Sequence, residues 1–133
     1  MPVAAAAVEA GTGAVTLINT VPGMVIDVER RRRALGGAGG GLSGAAIHPV
    51  AVRAVHDVHA AYPHIAIVGT GGVTDAVSAV ELLLAGASGV QVGTATFADP
   101  RAPARVLADL VDWCRRHGVS RVADLVGGAH GGP

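Results

Sequence analysis

The sequence predicts an α/β fold, namely the C-terminal half of a (β/α)₈ TIM barrel with parallel strands and outer helices. Two apolar runs that end in glycines, Ile65–Gly72 and Gly89–Ala95, enclose a segment of helical character. The last two strands of such a barrel look like this when their C-terminal loops hold a phosphate. The chain has 133 residues, whereas a complete barrel needs roughly 250. We therefore expect residues 1–133 to form one partial-barrel domain, with strands about six to eight of the barrel and no second domain.

Composition and charge exclude several classes of protein. Hydrophobic residues make up 50% of the chain, which excludes a disordered segment. Aromatic residues make up only 2%, so the core must consist of Val, Leu, Ile and Ala. Lys plus Arg and Asp plus Glu number 10 each, which leaves no basic field to attract nucleic acid. The run Arg30–Arg33 is interpreted as a solvated loop in preference to an anion or partner contact.

Cysteine content and hydropathy restrict where in the cell the protein is expected. The single cysteine, Cys114, excludes a disulfide within the chain and is expected in or near the core. No apolar stretch reaches the roughly 18 residues of a membrane span. Residues 1–8 lack the basic segment of a signal peptide. The expected location is the cytoplasm, without a membrane partner.

The first third of the chain predicts one strand and a long excursion. Residues 2–10 are Ala-rich and predict a short helix, and Ala14–Ile18 is an apolar run typical of a strand buried on both faces. An excursion over 21–44 follows, in which residues 24–28 predict a small strand or hairpin arm. Residues 36–41 contain five glycines and predict a flexible or tightly turned loop.

The remaining elements alternate between helix and strand. Pro49 opens a helix at its first turn, and Ile65–Val68 is the second strand. Thr74 is the expected N-cap of the next helix, with Asp75 in its first turn. The further boundaries are a helix stop at Gly86, a strand at Val90–Val92, a helix from Pro103 to Gly118, a short helix at Ser120–Val126 and a frayed Gly/Pro tail.

Each of the three long helices is expected to turn one apolar stripe inward. Alternation of this kind means parallel strands joined by crossovers. Three strands cannot close a barrel, so the outer two should expose unpaired backbone. The expected inward residues are Val50, Ala54, Val58 and Ala61 in the first helix, with Val55 beside them, then Val77, Val80 and Leu84 in the second, and Val106, Leu107, Leu110, Val111 and Cys114 in the third.

Two glycine turns predict a phosphate site. Gly71 and Gly72 follow a strand and precede a helix, where glycine lets the backbone approach an anion and free N–H groups point at it. Gly93 and Thr94 repeat the arrangement one strand later, with a hydroxyl as an additional donor. As a tandem pair the turns favour phosphate binding over simple turn glycines.

Two further segments have open interpretations. Asn19 and Thr20 lie at the C-terminal end of the first strand, where barrel active sites gather, so they could bind a carboxylate or a ring N–H. A capping or turn role fits them equally well. The tract Gly41–Gly44 could bring backbone against a flat cofactor, and a plain loop turn is an equally good interpretation.

The six histidines do not predict a metal site or a catalytic centre. His56 and His59 are three residues apart, yet no acidic or cysteine partner stands at ligand spacing. We find no Ser-His-Asp or Cys-His arrangement and no paired catalytic carboxylates. The other histidines are interpreted as surface or loop residues: His48, His64, His117 and His130.

Taken in order, these motifs resemble the dihydroorotate dehydrogenase family, in particular the class 1B catalytic subunit. The resemblance spans nearly the whole of this chain, which is similar to the C-terminal half of a family enzyme. It rests on Leu17–Thr20, Gly40–Gly44, Ala46–Val50, Gly69–Gly72, Leu84–Ser88, Val90–Ala95 and Asp124–Gly127.

The resemblance implies a flavin enzyme. Its members are (β/α)₈ barrels that bind FMN and oxidise dihydroorotate to orotate in pyrimidine (UMP) synthesis. It implies that Asn19 and Thr20 bind the orotate ring and carboxylate. It also implies a partner, an iron–sulfur flavoprotein subunit that passes electrons to NAD. The implied FMN contacts are Gly71, Gly72, Gly93 and Thr94 at the phosphate, and Ile18 and Gly44 at the flavin or ribityl chain.

The departures from the family pattern matter for activity. The family's cysteine base and its flavin-side lysine belong to a first half that this chain lacks, so no catalytic residue is assigned and no turnover is expected from the chain alone. Cys114 does not replace that base, because it lies in a late helix. His48 stands where relatives often carry Lys.

Two alternatives remain open from the sequence. One is a fragment of another FMN-dependent barrel oxidoreductase, of the dihydropyrimidine dehydrogenase type. The other is a non-catalytic half-barrel remnant that self-associates, since two half barrels could bury their open edges as a dimer. The first half of a barrel, supplied as a companion chain, would serve the same purpose.

Overall fold

Helices and strands alternate through most of the chain in a computed structural model that describes residues 2–131. Short 3-10 turns at Ala45–Ile47, Val122–Leu125 and Gly128–Gly131 supplement the longer elements. In chain order these are α1 (Pro2–Glu9), β1 (Ala14–Leu17), β2 (Val21–Gly23), β3 (Ile26–Asp27), β4 (Arg32–Arg33), β5 (Gly40–Leu42), α2 (His48–Ala61), β6 (Ala66–Thr70), α3 (Ala76–Leu84), β7 (Gly89–Gln91), α4 (Ala95–Ala98) and α5 (Ala102–Arg116).

A parallel sheet with strand order β1-β6-β7 forms the centre of the fold. The register pairs Ala14 with Ala66 and Val68 with Gly89. Helix α2 connects β1 to β6 after the excursion, and α3 connects β6 to β7, as expected for parallel strands. The predicted α/β architecture is confirmed. Within residues 2–131, β1 and β7 each pair along one edge, so both outer edges of the sheet are open.

The excursion consists of two small antiparallel ladders. Strands β2 and β5 pair with each other, and β3 pairs with β4 in a hairpin. The predicted hairpin arm at 24–28 is therefore present, whereas the end of the glycine run 36–41 belongs to β5. The arginine run is exposed, as expected, but two of its members form β4. Arg30 donates to the Asp27 carboxylate at 2.8 Å, and this contact lowers the pKa of Asp27 below its usual value.

The core lies between the sheet and helices α2, α3 and α5. One cluster packs α2 and α3 onto the strands around Val55, Ile67 and Leu82. A second joins α3 to α5 and the first C-terminal 3-10 turn around Leu83 and Leu110. Side chains this buried contribute about 1.5–3 kcal/mol each through removal of apolar surface from water.

The predicted stripe of α2 is wrong in part. Val58 is buried as expected, but Val50 is 51% exposed and Ala61 is exposed. Ala51 and Val55 face the core with Val58, so the buried face is rotated by one residue from the predicted one. Small alanines allow α2 to approach the glycine turn after β6, which a stripe of large side chains would prevent.

The stripes of α3 and α5 also need correction. Val80 is buried, whereas Val77 is 59% exposed and Leu84 is half-buried. In α5 the predicted Leu107 is 62% exposed and Val111 is also exposed. The buried set has a strict four-residue spacing, and its last three members pack with residues of α3, so it is narrower than the apolar pattern. It consists of Ala102, Val106, Leu110 and Cys114.

The C-terminal segment packs against the helix layer. The predicted helix at Ser120–Val126 is present as the 3-10 turn Val122–Leu125, with Leu125 buried. Part of the tail expected to fray forms the turn Gly128–Gly131, and Gly132 and Pro133 lie outside the described residues. Among residues 2–131, no helix has the length and hydropathy needed to cross a membrane.

Candidate functional site

The C-terminal ends of the three parallel strands converge on one cavity of about 210 Å³. The loops that follow β1, β6 and β7 form its wall, together with the segment that leads into α2. All eight residues that the sequence and the resemblance nominate line this cavity. Its lining consists of Ile18, Asn19, Thr20, Ser43, Gly44, Ile47, Thr70, Gly71, Gly72, Val73, Thr74, Gly93, Thr94 and Ala95.

The turn after β6 requires glycine at two successive positions. Gly71 has φ +134° and Gly72 has φ +70°, a region that side chains rarely tolerate. A Cβ on Gly71 would lie 2.7 Å from the Cβ of Ala51, and one on Gly72 would lie 2.7 Å from the Cβ of His48. Both glycines are therefore needed for the fold, because they let the turn contact α2.

The backbone N–H groups of the two glycine turns are available to a ligand. Within the described residues 2–131, those of Gly71, Gly72, Gly93 and Thr94 donate to no protein acceptor. Gly71 and Gly72 are half-buried, where an N–H group normally has a partner, whereas Gly93 and Thr94 are exposed and their N–H groups are open to solvent. Donors that gather around one cavity suit an anion. The cavity is thus able to bind a small anionic group by backbone donation.

In the first turn of helix α3, a side chain already binds one of the N–H groups that were expected to be free for an anion. The helix begins at Ala76, and its N-cap is Asp75 instead of the predicted Thr74. The Asp75 carboxylate accepts from the Ser78 N–H at 2.8 Å, and the Ser78 hydroxyl accepts from the Asp75 N–H at 3.1 Å. This reciprocal bond lowers the pKa of Asp75. An anion in the cavity would therefore be bound by loop amides.

The turn after β7 is more open than the turn after β6. A Cβ on Gly93 would meet nothing within 4 Å, so this position faces free space. Its carbonyl accepts from the Thr96 hydroxyl at 2.7 Å, which holds the start of α4 in place. Thr94 precedes α4 without a side-chain capping bond, and it is exposed.

The loop after β1 forms the third side of the cavity. The Ile18 N–H donates to the Thr70 carbonyl at 2.9 Å, which fixes Ile18 beside β6. The side-chain oxygen of Asn19 accepts from the Thr20 N–H at 2.7 Å, so Asn19 does make a local turn contact. Its amide NH₂ group remains a donor at an exposed position.

Gly44 connects the excursion to α2 at the edge of the cavity. Its φ of +83° again requires glycine, and a Cβ there would lie 3.6 Å from Cγ2 of Thr94. The Gly44 carbonyl accepts from the Ile47 N–H at 3.2 Å, which begins the 3-10 turn before α2. The segment therefore lies close to both glycine turns, because a Cβ on Gly72 would also lie only 3.0 Å from the Gly44 carbonyl oxygen.

Comparison with known proteins identifies the family. A family model described as dihydroorotate dehydrogenase matches residues 1–113. The chain belongs to the dihydroorotate dehydrogenase family. It is 50% identical over 128 residues to the dihydroorotate dehydrogenase B (NAD(+)) catalytic subunit of Desulforudis audaxviator, and 46% identical over 126 residues to a putative dihydroorotate dehydrogenase A (fumarate) of Solibacter usitatus. These alignments cover 96% and 95% of this chain, and 41% of each relative.

Solved structures of family members confirm the fold. The ligand-free dihydroorotate dehydrogenase of Eimeria tenella superposes with a TM-score of 0.80 at 27% identity, over 98% of this chain and 36% of that one. The same enzyme in complex with ferulenol gives a TM-score of 0.79. The chain therefore spans about 40% of the length of the curated relatives above, and it forms part of a barrel.

Sequence analysis missed the role of His48. The sequence predicts a surface or loop residue, but His48 begins α2, and its side chain is 12% exposed and bonded on both ring nitrogens. Nδ1 lies 2.8 Å from the Gly71 carbonyl oxygen, and Nε2 lies 3.0 Å from a carboxylate oxygen of Glu81. These partners are 23 and 33 residues away in the chain, so no local pattern reveals them.

A second histidine group forms away from the cavity. The rings of His56 and His130 stack with centroids 4.0 Å apart, and His59 lies against His130 at 4.8 Å. The sequence predicts a surface or loop residue at His130; it lies in the last 3-10 turn, but it is half-buried and bonds the Ala85 carbonyl at 2.9 Å. Nowhere in residues 2–131 do three His, Cys, Asp or Glu side chains gather in a way that could hold a metal ion.

Proposed function

We propose that this chain is the FMN-binding C-terminal part of a dihydroorotate dehydrogenase, which oxidises dihydroorotate to orotate in pyrimidine (UMP) biosynthesis. Residues 1–133 would form one partial-barrel domain located in the cytoplasm. The observation that supports the proposal best is the cavity, because three strand-end loops and the segment before α2 bring all eight nominated residues to it. Membership of the oxidoreductase family supplies the reaction class.

The fit of FMN depends on its phosphate group. Four N–H groups without protein acceptors among residues 2–131 surround a cavity that is wide enough for a phosphate, and open space faces Gly93. Such donors suit a dianion better than a neutral group. We propose that Gly71, Gly72, Gly93 and Thr94 bind the phosphate. When bound, FMN supplies a two-electron acceptor for the oxidation.

The remaining cavity residues would orient the flavin and substrate. Ile18 and Gly44 offer backbone to a flat ring, and Gly44 has no side chain to obstruct it. Asn19 can donate from its amide group and Thr20 from its hydroxyl, which suits the carboxylate and ring oxygens of orotate. In this arrangement the chain positions its ligands and excludes water on one side.

A proton acceptor for the reaction is assigned to the part of the family enzyme that this chain does not cover. No residue of the chain is proposed as catalytic, and we expect no turnover from it alone. The test is an assay of the purified chain with FMN, dihydroorotate and an electron acceptor. Steady orotate formation well above a Gly72→Asp control would contradict this expectation.

The direct test of the proposed function is FMN binding. Quenching of flavin fluorescence by the purified chain should saturate, and Gly93→Ala should weaken the binding while it leaves the fold intact. Binding of riboflavin, which lacks the phosphate, is the matched ligand control and should be much weaker. Equal affinity for FMN and riboflavin would refute the phosphate assignment.

Substrate identity separates the proposal from a dihydropyrimidine dehydrogenase type of enzyme. We expect the FMN-loaded chain to bind orotate in preference to uracil, because Asn19 and Thr20 would engage the carboxylate that uracil lacks. Asn19→Ala should remove the preference. Calorimetric titration with both ligands measures it, and a preference for uracil would favour the other family.

Partner chains are the last part of the proposal. The two open sheet edges could be covered by the first half of a barrel or by a second copy of this chain. Several relatives are named catalytic subunits of dihydroorotate dehydrogenase B, which supports an electron-transfer partner of the iron–sulfur flavoprotein type.

A further inference from the structure

We propose that His48 is a positioning residue of the candidate site, which in its doubly protonated form holds the Gly71–Gly72 turn in the shape that presents its N–H groups. This inference rests on the proposed function for the identity of the ligand. The contact geometry of His48 does not depend on it. His48 touches no ligand in this scheme and acts through the turn.

The two partners of His48 can only accept hydrogen bonds. A backbone carbonyl carries lone pairs and no proton, so Nδ1 must donate to Gly71 across the 2.8 Å contact. An ionised carboxylate is also an acceptor, so Nε2 must donate to Glu81 across the 3.0 Å contact. Both bonds exist together only when the imidazole carries two protons, as an imidazolium ion.

Loss of one proton sets the two acceptors in competition. A carboxylate is the stronger acceptor, because hydrogen bonds to an ionised group are roughly twice as strong as bonds between neutral groups. The Glu81 side chain is 54% exposed, so water also competes for it, and neutral His48 divides its one proton between Nε2 and Nδ1. In the form with the proton on Nε2, the Nδ1 lone pair faces the Gly71 carbonyl oxygen, which repels it and releases the turn.

The surroundings make the turn sensitive to this contact. A Cβ at position 72 would already clash with His48, so the turn and the His48 residue are in close contact. The charged and titratable groups beside His48 are Glu81 on α3 and, along the groove between α2 and α3, Arg53, His56 and Asp57. Asp57 is itself bonded by Arg53 at 2.8 Å, so Glu81 is the anion left to act on His48.

The variants separate the two contacts. His48→Asn keeps a donor at the distance of Nδ1 from the backbone, does not reach Glu81 and does not titrate. His48→Leu removes both bonds. Glu81→Gln replaces the carboxylate by an amide that can donate to Nε2, so a neutral imidazole keeps its proton on Nδ1 for Gly71. His64→Asn, at an exposed loop position, is the control for the loss of a histidine.

The measurement is FMN affinity between pH 6 and pH 8, followed by flavin fluorescence. Because the FMN phosphate also ionises near pH 6, each wild-type value is divided by the His48→Asn value at the same pH. We expect the wild type to lose about tenfold in relative affinity as the pH rises, the equivalent of one charge-assisted hydrogen bond. Glu81→Gln should lose nothing, and His48→Leu should bind weakly at every pH. A flat wild-type ratio overturns the inference.

A second readout works without any ligand. In ¹⁵N-labelled protein, the amide signals of Gly71 and Gly72 should shift with the same midpoint as the ring nitrogens of His48, and the shift should shrink in Glu81→Gln. If FMN fails to bind but these signals titrate together, the proposed function is wrong and the positioning role stands. Glycine signals that ignore His48 titration overturn the role even when FMN binds. Circular dichroism of each variant identifies any that does not fold.

Discussion

Glycine at position 93 differs from glycine at positions 71 and 72 in what requires it. The β6 turn needs glycine for its positive φ values and for its contact with α2. Position 93 has ordinary backbone and open space where a side chain would start. A side chain there would therefore disturb a ligand and not the fold.

This difference gives a prediction at two neighbouring loops. Gly72→Ala should lower the stability by at least about 1–2 kcal/mol, the cost of a left-handed backbone for an L-residue. Gly93→Ala should leave the melting temperature unchanged and weaken FMN binding. Gly89→Ala, which also meets open space but lies away from the cavity, should change neither quantity. Thermal unfolding and flavin titration measure both effects, and unaltered binding by Gly93→Ala would count against a ligand at this turn.

His59 gives a pH prediction of its own. Its pKa is lowered, first by burial and then by the neighbouring His130 and His56, and its Nδ1 atom is buried without a hydrogen-bond partner in the described part of the chain. The folded state thus prefers the neutral ring, while the unfolded chain takes up a proton near pH 6.5. The stability contributed is complete above that pH and falls as the pH drops toward the lower folded-state value.

The variant His59→Leu tests the sign. It removes the titrating group and keeps an apolar side chain of similar size, so its melting temperature should change less than that of the wild type between pH 7.5 and pH 5.5. His64→Leu, at an exposed position, should retain the wild-type pH dependence. A wild-type melting temperature that rises on acidification would contradict the assignment.

Among the secondary-structure elements, α3 shows what the sequence can and cannot specify. Its existence and length follow from a strong apolar pattern that starts after polar residues and ends at Gly86. Thr74 and Asp75 are both good caps, and the sequence alone does not choose between them. The choice depends on Ser78, which completes a reciprocal bond with Asp75.

Removal of the cap should be measurable in α3. Asp75→Ala should cost about 1 kcal/mol of stability, and Thr74→Ala should cost much less. Because the Ser78 N–H lowers the pKa of Asp75, this stabilisation is present at neutral pH and disappears as acid protonates the folded-state carboxylate. Chemical denaturation at pH 7 and pH 3 checks both statements. Equal costs for the two variants would return the N-cap to Thr74.

The buried faces of α2 and α5 could be predicted from the sequence only in part. Both helices carry apolar residues on several faces, so more than one stripe satisfies helical periodicity. The structure selects a small residue where elements meet closely, such as Ala51 against Gly71. Larger side chains such as Leu107 remain exposed. Choosing the correct face requires the partner surface, which a single sequence does not contain.

For the whole molecule, the sequence predicted the parallel sheet and the loops that meet at its C-terminal edge. Strands and glycine turns are local signals, and parallel pairing brings their ends together without further information. The contacts of His48 with Gly71 and Glu81 join elements far apart in the chain, so they became visible only in three dimensions. The same holds for the packing of His130 on α2.

The open edges of β1 and β7 predict association. The chain should form dimers or larger species at micromolar concentration, because unpaired strand edges recruit further strands. Thr16→Lys places a charge at an exposed position of β1 and should shift the population toward monomer. Ala60→Lys, on the exposed side of α2, is the matched control. Light scattering after size exclusion measures the mass, and a stable wild-type monomer would argue against a closed dimer of half barrels.

The contact of the β6 turn with Ala51 and His48 has a consequence for local unfolding of the protein. Since the turn keeps its shape through its contact with α2, any local unfolding that detaches α2 should also disrupt the proposed phosphate site. Ligand occupancy should therefore slow hydrogen–deuterium exchange in the middle of that helix, on its far side from the bound molecule. Protection from exchange would appear in a segment that the ligand does not touch. Its extent would measure the coupling between ligand binding and the stability of α2.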